Sequence, residues 1–216
     1  MAEELRLWAI TVDTFRQCFA APPDLADTLR RITGSLTAPQ TRSHSHTLLS
    51  KIGPLMRRPD DAPVIKPGIP NVHDAESIMT SRFIATDRLG ACWVLARVWL
   101  DELADMHRVV PLARSEIDEL EFDLARVGVP TEYSIRQLWR RGIDIPLRPA
   151  DDMCIGYTPH SVLPNLIQQW EGALSFLGED TVRFVTPVLE FVSGFPQYTG
   201  QSSPPPRDLI AWWTSR

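Results

Sequence analysis

The chain has 216 residues, 44% of them hydrophobic and 23% charged, and carries a net charge of −5. That length suits one good core or two small ones, and that balance excludes a disordered chain, a fibrous repeat and a disulfide-stapled miniprotein. The negative charge argues against general affinity for nucleic acid or anionic membranes, and no apolar run reaches the roughly 18 residues that a membrane helix needs.

The opening MAEELRLWAIT lacks the basic-then-apolar pattern of a secretory signal. Residues 5–11, with Leu7, Trp8 and Ile10, suit a short strand. Asp13 is placed to cap a helical turn in which Phe15, Cys18 and Phe19 share a face, and Pro22-Pro23 stops it. Asp24 restarts a helix with Leu25, Leu29 and Ile32 on one side and Gly34 as its terminator.

Between residues 35 and 71 six prolines break any regular period, and Arg42, Lys51, Arg57, Arg58 and Lys66 face only Asp60 and Asp61. This reads as a long basic loop with one short helix at 48–56. A connection of that length is often functional. It holds no aromatic residue for stacking on single-stranded nucleic acid. Its His44-Ser45-His46 pair has no partner ligands nearby and reads as solvated.

Asp74 is expected to cap a short helix carrying Ile78 and Met79. Thr86 then opens the clearest element, in which Leu89, Cys92, Ala96, Trp99, Leu103 and Met106 recur at three- and four-residue steps. Trp93 and Leu100 widen the stripe into that of a central core helix. Residues 107–112 are β-prone. Ser115 and Asp118 form an acidic version of a capping box for a helix presenting Ile117, Leu120 and Leu124, which Gly128 and Pro130 end.

Residues 131–141 read as another helix, and 143–149 and 153–157 as short strands or extended segments. Residues 161–177 are strongly helical, with Gly178 as terminator. Residues 180–192 repeat the pattern with a kink or restart at Pro187, and 209–213 form a closing strand. The expectation is therefore a single domain over 1–216: mainly helical α+β, with a small sheet of short strands that includes both termini.

Candidate chemistry begins with charge. Residues 101–123 hold eight acids against Arg108 and Arg114, a local net charge of −6. Asp118, Glu119, Glu121 and Asp123 are the expected docking face for a basic protein. Trp212 and Trp213 are adjacent, so in a strand they point to opposite faces, and Trp213 is the expected exposed anchor.

The rival readings are enzymatic. Asp101 and Asp105, at i and i+4 with His107 close by, fit a metal-assisted hydrolase; Cys154 near His160 fits a thiol enzyme. Neither has a supporting signature: there is no HExxH, EF-hand loop or GxSxG, and no GxGxxG or P-loop to cradle a cofactor, so no cofactor or bound metal is expected. Cys18, Cys92 and Cys154 are odd in number and widely spaced, which fits a reducing cytoplasm. A structural subunit or homo-oligomer is the third alternative.

The segments LWAITVDTFRQCF, SKIGPLMRRPDDAPVIKPG, ACWVLARVWLDEL and PRDLIAWW together resemble a family of stand-alone bacterial proteins classed only as a domain of unknown function. The opening strand and its D-x-F helix are also distantly similar to small bacterial proteins of immunity repertoires. These resemblances carry no site residues. The expectation is a non-catalytic intracellular protein that binds a basic partner, in the manner of an immunity or antitoxin-like inhibitor.

Overall fold

The first strand, β1 (Glu4–Ile10), is apolar on both faces because both are covered: Leu5, Leu7 and Ala9 point to one side, Trp8 and Ile10 to the other, and all are buried. The computed structural model that shows this describes residues 3–37, 68–150, 152–195 and 205–215. The expected helix at 48–56 and the His44/His46 pair lie outside the described residues, as does most of the basic loop.

Three further strands, β2 (Met106–Pro111), β3 (Met153–Thr158) and β4 (Asp208–Thr214), complete a sheet of order β2-β1-β4-β3 with every pair antiparallel. The strands nearest the two ends of the sequence are thus its central pair, in register from Glu4 opposite Thr214 to Ile10 opposite Asp208. Residues 143–149, expected to be extended, form no strand. Just before them, Arg141 makes an isolated antiparallel bridge to Tyr157.

Four helices cover one face: α1 (Val12–Gln17), α2 (Pro23–Thr37), α3 (Val72–Met79) and α4 (Leu89–Leu103). Their core is aromatic. Trp212 lies 6.0 Å from Trp8 and 5.1 Å from Trp93, centroid to centroid. Trp93 Nε1 donates to Arg148 O and Trp99 Nε1 to Thr33 Oγ1, satisfying each ring's single polar group as burial requires. The other face carries α5 (Arg114–Arg126), α6 (Gln137–Arg140), α7 (Leu163–Ala173) and α8 (Glu179–Ser193) over an aliphatic core built from Leu5, Leu7, Val110, Leu120, Leu166, Val185 and Val188. The chain is therefore mainly helical α+β, with strands at both ends of the sequence.

Helix boundaries moved where a neighbouring residue offers better chemistry. Thr11, not Asp13, caps α1 by accepting from the Thr14 N–H at 3.1 Å. The α2 helix continues through Gly34 to Thr37. Asn71, not Asp74, is the N-cap of α3, and Asp74 accepts the Asn71 N–H at 2.9 Å in a reciprocal capping box. This leaves the buried Asp74 carboxylate to pair with Arg88, whose guanidinium also donates to Ile69 O. A carboxylate 4% exposed is tolerable only with such partners.

The long central helix stops at Leu103, so Met106 starts a strand instead of extending the stripe. Residues 131–141 hold a single 3-10 turn and the one-turn α6, since Ser134 is drawn into the extended region between them. The helix expected over 161–177 is α7 followed by a 3-10 turn, and Gly178 serves as the N-cap of α8. That last helix is continuous through Pro187, held by the buried Phe184, Val185, Val188 and Leu189. Asp208, buried at the start of β4, accepts from the Val12 N–H at 2.9 Å and the His160 N–H at 3.0 Å, joining three segments distant in sequence. Among the described residues, no helix is long and apolar enough to cross a membrane.

Candidate functional site

The site with the strongest charge character is a cleft of about 710 Å³ bounded by β2, α5 and the first half of α8. Its construction follows from local chemistry. Strand β2 ends at Pro111, which lacks an amide hydrogen, and the chain passes through Leu112 directly into α5. The α5 N-terminus is satisfied by carboxylates: Glu116 Oε2 accepts the Ala113 N–H at 2.6 Å and Glu3 Oε2 accepts the Arg114 N–H at 2.7 Å. The carboxylate that serves this terminus is therefore Glu116, not Asp118, and the N-cap is Ala113, which has no side-chain acceptor to return the bond.

Ile117, Leu120 and Leu124 turn α5 onto the sheet, and Gly128, at φ 90°, supplies the left-handed residue just past its end. Thr181 Oγ1 donates to Asp123 Oδ2 at 2.6 Å, fixing the first turn of α8 against α5. Arg108 crosses from β2 to α8, donating to Pro187 O at 2.9 Å and Glu190 Oε2 at 3.1 Å.

Four acidic residues, Glu116, Glu119, Asp123 and Asp180, line the cleft together with Arg108 and Arg183; of their carboxylates, Glu116 is held by the Ala113 N–H and Asp123 by Thr181 and by Arg126 at 3.2 Å. Val110, Leu112, Leu120 and Phe184 supply its apolar lining. The expected docking face is thereby split. Glu119 and Asp123 line the cleft. Asp118 lies on the other flank of α5, paired with Arg136 at 2.5 Å, and Glu121 accepts the Arg136 N–H at 2.7 Å.

Helical geometry explains the division, because positions 119 and 123 stack at i, i+4 while 118 and 121 stack at i, i+3 on the opposite flank. Glu116 belongs to the same acidic run but not to the expected docking set, which takes four acids close in sequence, and Asp180 belongs to another helix. The i, i+3 and i, i+7 relation of Glu116 to Glu119 and Asp123 was present in the sequence as a signal.

Trp213 is not an exposed anchor. It is 4% exposed, part of the core between the sheet and helices α5–α8, and its Nε1 donates to Leu112 O at 3.0 Å. Trp212 is equally buried on the opposite face. Both rings are covered because β4 is an interior strand with helices on both sides.

Of the residues of the enzymatic readings, Asp101 and Asp105 are engaged by the fold. Asp101 accepts from Trp8 Nε1 at 2.8 Å. Asp105 lies beyond the end of α4, so it does not share a helical face with Asp101; it pairs with Arg207, and its N–H donates to Ala9 O. His107 projects from exposed β2. Cys154 and His160 lie toward opposite ends of β3: Cys154 stands opposite Trp213, while Thr158, four strand steps or about 13 Å onward, stands opposite Leu209 and precedes His160.

Among the described residues no group of three or more His, Cys, Asp or Glu side chains is arranged to hold a metal ion. Burial pushes the Cys18 and Cys92 thiols up to about 12, so both stay protonated at neutral pH. No family model matches the chain, and comparison with curated proteins and with solved structures finds no match.

Proposed function

We propose that the protein is a non-catalytic interaction protein whose α5–α8 cleft receives a basic segment of another protein. The observation that supports this reading is the convergence of Glu116, Glu119, Asp123 and Asp180 on one open cleft, in which Arg108 is already engaged by α8. Complementary charge acts chiefly on association rate and partner choice, while the apolar lining gives a bound segment something to bury. An inhibitory role toward that partner, of the immunity or antitoxin type, extends the proposal. So does a reducing cytoplasmic setting, which the three free thiols support.

The test combines co-purification at low and high salt with kinetics. A basic protein held stoichiometrically at low salt and lost as salt rises is the expected result. Its association rate should fall about tenfold with Glu119→Lys/Asp180→Lys, and the salt dependence should flatten. An unchanged rate and salt slope would remove the cleft from the interface. Absence of a stoichiometric basic companion at low salt would overturn the reading as a whole.

A further inference from the structure

Strand β2 closes one side of the sheet, and its outer edge opens into the cleft: five consecutive residues, Arg108 to Leu112, line it. A strand that offered only one face to a cleft would line it with alternate residues. A continuous run means that the backbone edge itself is presented.

The register shows which peptide groups are free to act. The Leu112 N–H donates to Glu3 O on the β1 side, so the even-numbered residues of β2 turn their peptide groups inward. Those of His107 and Val109, and the carbonyl of Pro111, face outward. Side chains alternate in step. Val110 is buried beneath the helices and Arg108 reaches up to α8, whereas Val109 lies 42% exposed on the opposite face. A ladder that is unpaired among the described residues and exposed beside a charged cleft is a template for another strand.

We propose that the basic partner binds here by strand addition, as an extended segment paired along β2. On this geometry its alternate side chains separate: one set, basic, points to the helix side and meets Glu119 and Asp180, and the other set, apolar, lies beside Val109. Pro111 limits the pairing, since it offers an acceptor and no donor. Charge selects a basic partner over a second copy of this chain, because edge-to-edge pairing of two copies brings two acidic clefts together. The inference rests on the docking reading above and adds its mode.

The probe is a short capped peptide alternating lysine with valine, compared with the same peptide N-methylated at every second residue. Binding is followed by calorimetry and by amide hydrogen exchange at His107 and Val109. Val109→Pro is the diagnostic variant. It removes an outward donor while leaving the inward ladder to β1 intact, and circular dichroism and the melting temperature verify its fold.

The expected outcome is one-to-one binding that protects the two amides and weakens at least about tenfold with Val109→Pro, with N-methylation, and with Glu119→Lys/Asp180→Lys. Binding lost only with Glu119→Lys/Asp180→Lys would overturn strand addition and leave the acidic docking reading standing. Binding indifferent to all three changes, or no binding tighter than about 1 mM, would overturn both. Self-association of the protein that Val109→Pro abolishes, without peptide binding, would place a second copy on the edge and overturn the proposal.

Discussion

On the β3 edge, the backbone of residues 139–141 lies directly on Gly156. A Cβ added there would stand 2.1 Å from the Trp139 carbonyl oxygen and 2.6 Å from that of Arg141, and the Tyr157 N–H donates to Arg141 O. The Tyr157 ring is flanked by the guanidiniums of Arg16 and Arg141, each 5.7 Å from its centroid. On the β2 edge, by contrast, no chain segment among the described residues adds to the ladder, Pro111 truncates it, and carboxylates surround it. One edge is closed by backbone contact that only glycine permits. The other is open among the described residues and guarded by charge and proline, the two devices that deter unselective pairing. An edge guarded in that way stays compatible with a strand of the opposite charge, which is the difference the proposed strand addition rests on.

The sharpest way to break the comparison is Gly156→Ala. Backbone oxygens cannot move aside as side-chain tips do, so residues 139–141 must lift off β3. A loss of roughly 3 kcal/mol or more is expected in chemical denaturation. A loss below about 1 kcal/mol would mean that the β3 edge is not closed by this contact.

A smaller effect is expected from Trp213→Phe, which leaves Leu112 O without its indole donor where β2 turns into α5. That should cost about 1–2 kcal/mol. Trp212→Phe is the matched control, because Trp212 Nε1 has no hydrogen-bond partner among the described residues. Equal losses in the two variants would show that the bond to Leu112 does not stabilise the end of the open edge.

The gentlest probe is thiol chemistry. Cys154, exposed on β3, should react with iodoacetamide in the native state without changing the melting temperature, while Cys18 and Cys92 stay silent until the chain unfolds. The same burial fixes a pH dependence. Folded-state values of about 12 stand above the ordinary 9.0, so the unfolded chain deprotonates first. Their contribution to stability is complete below about pH 9 and is lost as pH rises towards 12. Cys92→Ala should flatten part of that alkaline decline in a pH series of melting temperatures.

How much of this could be read in advance differs between elements. The strands were legible because 5–11, 107–112, 153–157 and 209–213 combine β-prone residues with short length, and the stripe from Leu89 to Leu100 was legible because period 3.6 survives whatever packs on it. Caps were misread by two or three residues, since Thr11, Asn71 and Glu116 compete with Asp13, Asp74 and Asp118 for the same orphan amides and only backbone placement chooses between them. Three of the four cleft carboxylates, Glu116, Glu119 and Asp123, lie in the acidic run. Its division into two flanks followed from helical spacing, but the joining of Asp180 to Glu119 required the packing of α8 beside α5.

The sequence by itself determined the class of the molecule: a mainly helical α+β chain with a strand near each end and an acidic helix at its middle. Periodicity, turn residues and charge are local properties, and they survive without knowledge of neighbours. Tertiary structure alone decided that β1 and β4 lie side by side at the centre of the sheet, which buried both Trp212 and Trp213. It alone left β2 at an open edge beside the carboxylates of two helices. Strand order and edge exposure arise from pairings between residues 51 to 210 positions apart, and no local pattern encodes which strands will lie at the edges of the sheet.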